Sequence, residues 1–368
     1  MNAHDFAKYL RRNPAPPAEP PLPHAAPRCT VIPACDELET LPETLASLER
    51  AGNRNPVLIV VNHPAEASAR VRDSSAALLR KLRNRQLSGA EHLHWIFAPD
   101  LKYGVGEARK LGMDCFAASH TAETAATAAI FSLDADSPVR PNYFSCCEAC
   151  FAARPEAGTL IVPVRHQAGE TPELERAVRR YEAYLERYVA KLREAGSPYA
   201  FPAIGSGFAV RLETCLRAGG MRRRRGGEDF YFLQAAVKVA PFVVAPEALV
   251  MPSGRPSERV PFGTGPAVRH LLAGGTLPEI GDAAFDLLRA LLAAMPGGEP
   301  PPEGRRFLEK EGFYDTWPRI LANTPEGGEK AAFDCWFDGL KTLRFLHFCD
   351  AARRSQSTEI RRSASSTL

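Results

Sequence analysis

Short apolar runs that alternate with longer amphipathic segments are the feature that most constrains the fold of this chain. The runs CTVIPA, VLIVVNH, LHWIFAP and AAIFSLDAD are rich in valine and isoleucine and end at turn residues. The segments between them, such as ETLPETLASLERAG and ASARVRDSSAALLRKLRN, have the apolar spacing of helices. Strands buried on both faces appear as continuous apolar runs, and their alternation with helices favours parallel strands with right-handed crossovers. The N-terminal half is therefore predicted to be α/β, with a mainly parallel central sheet flanked by helices.

The 368 residues divide into four predicted regions. Residues 1–28 are Pro-rich and lack periodicity, which predicts a flexible, extended arm, and residues 29–265 form the predicted α/β domain. Helical patterns dominate residues 266–354, a predicted C-terminal helical extension. The polar residues 355–368 are predicted to be a disordered tail.

Composition limits the classes of function. The 46 basic and 43 acidic side chains leave a net charge of +3, which is too small to indicate a nucleic-acid partner, and none is expected. The nine cysteines lack zinc-site or disulfide spacing, and the first residues lack the apolar core of a signal peptide, so we expect reduced thiols and a cytoplasmic location. The apolar stretch AAFDLLRALLAAM is interrupted by Asp286 and Arg289 and is shorter than the roughly 20 residues that span a bilayer. A soluble protein is predicted, with peripheral contact at the inner face of a membrane left open.

Polar side chains follow several predicted strands, at the edge where open parallel sheets bind ligands. Taken singly these features are weak, since an acidic turn is often only solvated and acidic residues also favour helix N-termini. Their combination in this order favours a ligand site. The side chains are Glu37 after the first strand, Asn62 after the second, Asp134 and Asp136 after the fourth, and Glu228 and Asp229 after a later pair of glycines.

With these motifs the chain resembles the family 2 glycosyltransferases, which have the GT-A (nucleotide-diphospho-sugar transferase) fold. The resemblance rests on TVIPACDELETLPETLASL, VLIVVNHP, GVGEARKLG, FSLDADSPVRPNYF and GSGFAVRLETCLRAGGMRRRRGGEDFYFLQ, between Thr30 and about Gln234. It implies an inverting transferase that moves a sugar from a nucleotide-diphospho-sugar, expected to be UDP-linked, to a hydroxyl acceptor. A glycan, a lipid-linked intermediate or a small metabolite would be the acceptor. The family's setting is the synthesis of envelope polysaccharide.

The D-x-D pair points to a divalent metal ion. Negative charge builds on the diphosphate as it leaves the sugar, a cation stabilises that charge, and hard oxygen ligands suit Mg²⁺ or Mn²⁺. Side chains two apart on a strand share a face, so Asp134 and Asp136 can face one ligand. The resemblance implies Asp136 as the direct metal ligand and Asp134 as a ribose contact or further ligand. A late histidine serves as a metal ligand in some GT-A enzymes, and His270 is the candidate here.

The resemblance also assigns the remaining site residues. It implies Asp229 as the base that accepts the proton of the acceptor hydroxyl, with Glu228 orienting that acceptor. Asn62 stands where the family usually has an aspartate that binds the nucleobase, so the preference for uridine is less secure. The nucleotide-sugar contacts are Pro33, Ala34 and Glu37 for the base and ribose, Arg109 for the base or diphosphate, and Arg255 and Arg259 for the diphosphate.

Alternatives stay open for several of these features. The segment around Arg255 and Arg259 is equally compatible with a plain turn before a helix, and Arg222 to Arg225 form either a mobile lid or a solvated loop. At the level of function, a retaining GT-A synthase acting on a phosphorylated small acid fits the same motifs. A non-catalytic nucleotide-sugar-binding module is a second rival, and the presence of Asp136 and Asp229 argues against it.

Overall fold

The computed structural model describes residues 1–256 and 263–351 and divides the chain into two compact units. The first unit contains Met1–Glu182 and Ala203–Gly275, and the second contains Ala183–Pro202 and the chain from Thr276 onward. The division thus falls after Gly275, whereas the sequence predicted a domain boundary after residue 265. Arg259 and the predicted tail at 355–368 lie outside the described residues.

A seven-stranded sheet forms the centre of the first unit in the part of the chain that the structure describes. Its strands are β1 (Arg28–Ala34), β2 (Val57–Asn62), β3 (Leu93–Ala98), β4 (Ala129–Ser132), β5 (Thr159–Ile161), β6 (Phe208–Arg211) and β7 (Phe242–Val244). Their order across the sheet is β3-β2-β1-β4-β6-β5-β7. Strand β6 runs antiparallel to β4 and β5, and the other pairings are parallel. The predicted α/β class with a mainly parallel sheet is confirmed.

Helices connect these strands at the places where the sequence shows helical spacing. The helices up to the end of the first unit are α1 (Ala3–Arg12), α2 (Leu41–Arg50), α3 (Ala69–Arg83), α4 (Val105–Ala118), α5 (Ala122–Ala125), α6 (Tyr143–Ala153), α7 (Pro172–Glu194), α8 (Leu212–Arg217), α9 (Glu228–Val237) and α10 (Thr264–Leu272). Helix α7 runs on into the second unit, which also contains α11 (Asp282–Ala294), α12 (Pro302–Lys310), α13 (Phe313–Leu321), α14 (Glu329–Trp336) and a helical stretch over 339–351.

The sheet is buried on both faces, which explains why its strands are continuous apolar runs. One face carries Ile32, Ile59 and Phe131 in a core with side chains of α2, α3 and α6. The other face packs against α4, where a Cβ added at Gly112 would lie 2.5 Å from Val31 Cγ1. Because β1, β2 and β4 are parallel, their carboxyl ends meet at one edge, and the residues that follow them become neighbours.

The second unit has a helical core of its own. Its aromatic rings pack on one another, and the rings of Phe333 and Phe337 stack with centroids 5.6 Å apart. Offset and edge-to-face ring pairs of this kind add to the stability gained from burial. In residues 1–256 and 263–351, each helix is too short or too polar to cross a membrane.

The N-terminal segment corrects the sequence prediction. Residues 1–28 were expected to form a flexible arm, but Ala3–Arg12 form α1, whose Phe6 and Tyr9 are buried. The Tyr9 hydroxyl donates to Asp114 on α4 at 2.7 Å, and Lys110 Nζ donates to the same carboxylate at 2.5 Å. The amphipathic pattern in AHDFAKYLRR is only ten residues long and is followed by prolines, so composition hid a helix that tertiary contacts stabilise.

Replacing Tyr9 with phenylalanine tests this anchoring. The Tyr9→Phe variant removes a hydrogen bond to a buried carboxylate, so we expect the free energy of unfolding to fall by about 1–2 kcal/mol. Urea denaturation measures the change. The matched control Tyr314→Phe alters a tyrosine that is 45% exposed and should leave stability unchanged. Equal stabilities of the two variants would contradict a structural role for the Tyr9–Asp114 bond.

Candidate active site

The acidic turn Asp134-Ala135-Asp136 follows β4 directly and is held by backbone contacts. Ala135 is buried and the two aspartates beside it are partly exposed, so both carboxylates avoid the core. Thr44 on α2 donates its hydroxyl to the Ala135 carbonyl at 2.9 Å. The Asp136 carbonyl accepts from the Ser253 amide at 3.1 Å and from Gln167 Nε2 at 3.2 Å. These contacts fix the direction of the turn at the edge of the sheet.

Arg109 connects this turn to the second acidic motif. The side chain is 1% exposed and extends from α4 between two carboxylates. Its Nη2 lies 2.5 Å from Asp134 Oδ1, and its Nη1 lies 2.7 Å from Glu228 Oε1 on α9. Burial by itself would lower the pKa of Arg109, but the charges of Asp134 and Glu228 outweigh burial and raise it above the ordinary value. One guanidinium therefore brings together two motifs that are far apart in sequence.

Two glycines make room for this arrangement. A Cβ at Gly205 would lie 2.6 Å from Arg109 Nη2, and a Cβ at Gly106 would lie 2.9 Å from Glu228 Cβ. The loop that carries Gly205 is fixed by the Ser132 hydroxyl, which donates to the Gly205 carbonyl at 2.6 Å. Any larger residue at either position would displace the ion pairs.

Asp229 lies in the first turn of α9, beside the buried pair. Its Oδ1 accepts from the Phe230 amide at 2.7 Å, and Gly227 before the helix has φ 68°, in the left-handed region that favours glycine. Burial, followed by the negative charge of Glu228, raises the pKa of Asp229 to about 7. Arg109 acts in the opposite direction, and Asp134 contributes a smaller increase. A carboxyl that titrates near neutrality is suited to accept and release a proton.

A second ion-pair cluster forms between the ends of β1 and β4. Arg255 Nη2 lies 2.5 Å from Glu37 Oε1 and 3.3 Å from Asp136 Oδ2. Glu37 is buried, and Arg255 is only partly exposed. The family resemblance assigns Glu37 to the nucleobase and ribose, Asp136 to the metal and Arg255 to the diphosphate. These three residues are thus neighbours.

The remaining predicted residues are distributed as follows. Pro33 and Ala34 are buried in β1, and Asn62 at the end of β2 donates its side-chain amide to the Val60 carbonyl at 2.9 Å. His270 lies on α10, where its ring approaches Gly275. Within the described ranges, no group of three or more His, Cys, Asp or Glu side chains is arranged to hold a metal ion. The metal roles of Asp134, Asp136 and His270 stay predictions.

The basic run Arg222–Arg225 is mostly exposed, and three of its side chains also contact neighbouring segments. Arg223 Nε lies 3.4 Å from Glu107 Oε1 on α4, and Arg225 Nε donates to the Lys102 carbonyl at 3.1 Å. The Arg224 guanidinium lies over the ring of Tyr231, 3.7 Å from its centroid. The loop before Glu228 is therefore held against the start of α4.

Several supporting residues were missed by sequence reasoning. Thr44, Gln167 and Gly205 position the acidic turn and Arg109, but sequence reasoning gave none of them a role, although Thr44 and Gly205 lie within stretches that carry the family resemblance. Their roles arise from tertiary contacts between segments far apart in the chain. The GSG stretch around Gly205 was part of the family resemblance, which is the one indication that the sequence offered for it.

Comparison with known proteins gives weak likenesses only. No protein-family model and no curated protein matches the chain. Among solved structures, residues 1–349 of S. aureus TarS are similar at 14% identity and a TM-score of 0.40, covering 72% of this chain and 69% of that one. A longer TarS structure matches over 74% of this chain and 44% of its own length, so the chain spans less than half of it. Glucosyl-3-phosphoglycerate synthase from Mycobacterium tuberculosis, solved with Mn²⁺, UDP and phosphoglyceric acid, matches at 13% identity and a TM-score of 0.41, covering 69% of this chain and 81% of that one. Similarity at this level does not establish a shared activity.

Removing the guanidinium of Arg109 should damage the whole site. Arg109→Met leaves Asp134 and the buried Glu228 without their cation, so we expect unfolding free energy to fall by about 3–5 kcal/mol. Arg109→Lys keeps the charge but cannot reach both carboxylates with a planar fork, so its loss should be intermediate. Denaturant titration measures both. Arg80→Met, at an exposed position on α3, serves as the control, and a loss at Arg109 no larger than at Arg80 would refute the bridging role.

The titration of Asp229 should appear in the pH dependence of stability. Its folded-state pKa of about 7 lies above the unfolded value, so the folded state holds the proton more tightly and loses stability as pH rises between about 4 and 7. An asparagine does not titrate. The stability of Asp229→Asn relative to wild type should therefore increase from pH 4 to pH 7 and level off above it. Thermal unfolding across this range measures the difference, and the exposed control Asp73→Asn should show a flat profile.

Proposed function

We propose that the protein is a metal-dependent inverting glycosyltransferase of the GT-A type, which transfers a sugar from a UDP-linked donor to a hydroxyl acceptor. The observation that carries the proposal is the Arg109 bridge between Asp134 and Glu228. It brings the two acidic motifs of the family resemblance to one side of the sheet edge. An unrelated pair of solvated acidic turns would not need a buried arginine in common.

The donor would lie across the carboxyl ends of β1, β2 and β4. Asp136 offers carboxylate oxygen, which is the donor type that Mg²⁺ and Mn²⁺ prefer, and Arg255 beside it supplies a positive charge for phosphate oxygens. Such ions commonly take one or two carboxylates and complete their coordination with substrate phosphates and water. The proposal therefore needs only the Asp136 carboxylate from the described residues, with the diphosphate and water completing the coordination. When bound, the ion would stabilise the negative charge on the leaving diphosphate.

Asp229 would act as the base. Its carboxylate would accept the acceptor's hydroxyl proton while the acceptor oxygen forms a bond to the anomeric carbon. The bond from that carbon to the diphosphate oxygen would break at the same time, and its electron pair would leave with the diphosphate. Glu228 would remain paired with Arg109, which keeps Asp229 at a fixed distance from the acidic turn. Attack opposite the leaving group inverts the anomeric centre.

Calorimetry of UDP binding tests the donor site. We expect wild-type protein to bind UDP in the presence of Mn²⁺ and to lose this binding in the Asp136→Ala variant, since the metal and the diphosphate share that carboxylate. Asp73→Ala, at an exposed position on α3, is the matched control and should bind like wild type. The Asp229→Asn variant should still bind UDP but hydrolyse UDP-sugars about 10²–10⁴-fold more slowly, because it lacks the base. UDP binding that is unaffected by Asp136→Ala would contradict the assigned site.

The stereochemical outcome separates the inverting reaction from its retaining rival. NMR of the first-formed product reports the anomeric configuration before it equilibrates. A product of configuration opposite to the donor supports Asp229 as base, and a product of the same configuration supports a retaining synthase. Binding of UDP without any turnover would favour the non-catalytic module.

A further inference from the structure

A buried histidine next to the proposed site belongs to a hydrogen-bonded chain that the reaction above does not use. His166 follows β5 and is 4% exposed. Its Nδ1 lies 3.0 Å from Glu182 Oε1 on α7, and its Nε2 lies 3.1 Å from Thr264 Oγ1 at the start of α10. The three side chains connect α7 through a buried ring to a partly exposed hydroxyl.

The chemistry of Glu182 fixes the direction of the first hydrogen bond. Burial acts to raise its pKa, but hydrogen bonds from His166 and Arg179 prevail and lower it to about 2. The ionised carboxylate can only accept, so Nδ1 carries a hydrogen. Arg179 Nη1 lies 2.6 Å from the other oxygen of Glu182, and Arg179 Nε lies 2.7 Å from Glu175 Oε1, so two carboxylates share its charge. The orientation of the imidazole ring is fixed from the Glu182 side.

The second ring nitrogen determines what Thr264 presents to a ligand. In the tautomer with a hydrogen on Nδ1 alone, the ring offers a lone pair at Nε2, and the Thr264 hydroxyl donates its hydrogen there. The lone pairs of Oγ1 are left as the free side of the group. Thr264 thus becomes a hydrogen-bond acceptor of fixed orientation.

Neighbouring contacts connect the segment that holds this group to the acidic turn. Gln167, the residue after His166, donates Nε2 to the Asp136 carbonyl at 3.2 Å and to the Met251 carbonyl at 2.8 Å. The backbone N–H of Gln167 also donates to the Pro252 carbonyl at 2.9 Å, in the segment that leads to Arg255. The His166 segment and the Asp136 turn are therefore parts of one hydrogen-bonded framework.

We propose that His166 adopts this tautomer and that Thr264 is a specificity-determining residue that binds a sugar hydroxyl of the substrate, with Glu182 and His166 as its positioning residues. A ligand hydroxyl can donate a hydrogen to the fixed Thr264 acceptor. An ionised phosphate or carboxylate oxygen has no hydrogen to donate and would be repelled by the Oγ1 lone pairs. The inference rests on the proposed transferase function and extends it, since it favours a neutral polyol over a phosphorylated acid at this position. The hydroxyl belongs either to the transferred sugar or to the acceptor.

The tautomer of His166 is testable without any substrate. In protein labelled with ¹⁵N-histidine at pH 8, the signals that disappear in His166→Gln should show a protonated Nδ1 and an unprotonated Nε2. A protonated Nε2 on wild-type protein would overturn the proposal, because Thr264 would then be free to donate. This measurement does not depend on the proposed function.

Substitution of Thr264 tests the ligand. The nucleotide probe is UDP with Mn²⁺. The donor probe is whichever of UDP-glucose, UDP-galactose and UDP-N-acetylglucosamine the wild type hydrolyses fastest. The acceptor probes are the methyl glycosides of the same sugars. Thr264→Val lacks the hydrogen-bond acceptor. If Thr264 binds the donor sugar, the affinity for the UDP-sugar should fall by roughly tenfold relative to that for UDP. If it binds the acceptor, the KM for a methyl glycoside should rise by roughly tenfold instead. Thr264→Ser keeps the hydroxyl and should restore wild-type values. Thr316→Val, whose hydroxyl donates to a backbone carbonyl in the second unit, is the matched control.

The outcomes separate this inference from the function on which it rests. A wild type that binds neither UDP nor any UDP-sugar refutes the transferase and removes this role for Thr264, while the tautomer measurement still reports on the histidine alone. A wild type that binds and hydrolyses donors, together with a Thr264→Val variant that matches it in both arms, refutes the inference only. Inorganic phosphate that binds wild type and fails to bind Thr264→Val would also refute it, since the site would then hold an anion.

Discussion

A buried guanidinium with two carboxylate partners is the interaction on which the candidate site depends. Arg109 extends from α4 and is 1% exposed. It contacts Asp134 after β4 and Glu228 on α9. Taking these charges out of water is costly, and a hydrophobic replacement of similar volume is often no less stable in other proteins. In this site the ion pairs position the two carboxylates, because a planar guanidinium fixes them relative to each other.

The same interaction explains why Asp229 differs from an ordinary surface aspartate. The pKa of Asp229 is raised mainly because the group is buried, and next because Glu228 is negatively charged. Arg109 offsets part of that increase, so the pKa is raised only to about 7. Without Arg109, two neighbouring carboxylates would share a buried position without a counter-charge, and protonation of one of them would be favoured even more strongly.

Sequence patterns predicted the sheet because strand runs and helical periods follow from local rules, whereas the roles of the acidic residues came from the family resemblance and stay predictions. Strand runs, helical periods and the position of Asp136 after β4 depend on neighbours in the chain. The roles of Thr44, Gln167 and His166 depend on segments that meet only in the fold, so spacing carries no trace of them. Helix α1 was missed for a similar reason, since its stability comes from contacts such as that between Tyr9 and Asp114 instead of its own length.

Two different kinds of polar group are connected to the acidic turn. Arg255, which contacts Asp136, is positive and suits an anionic oxygen, whereas Thr264, hydrogen-bonded to His166, is proposed as a neutral acceptor. A nucleotide-diphospho-sugar has the same division, with a charged diphosphate joined to a sugar of uncharged hydroxyls. In the proposed complex, the diphosphate would therefore lie at the cationic contact and a sugar hydroxyl at the Thr264 acceptor.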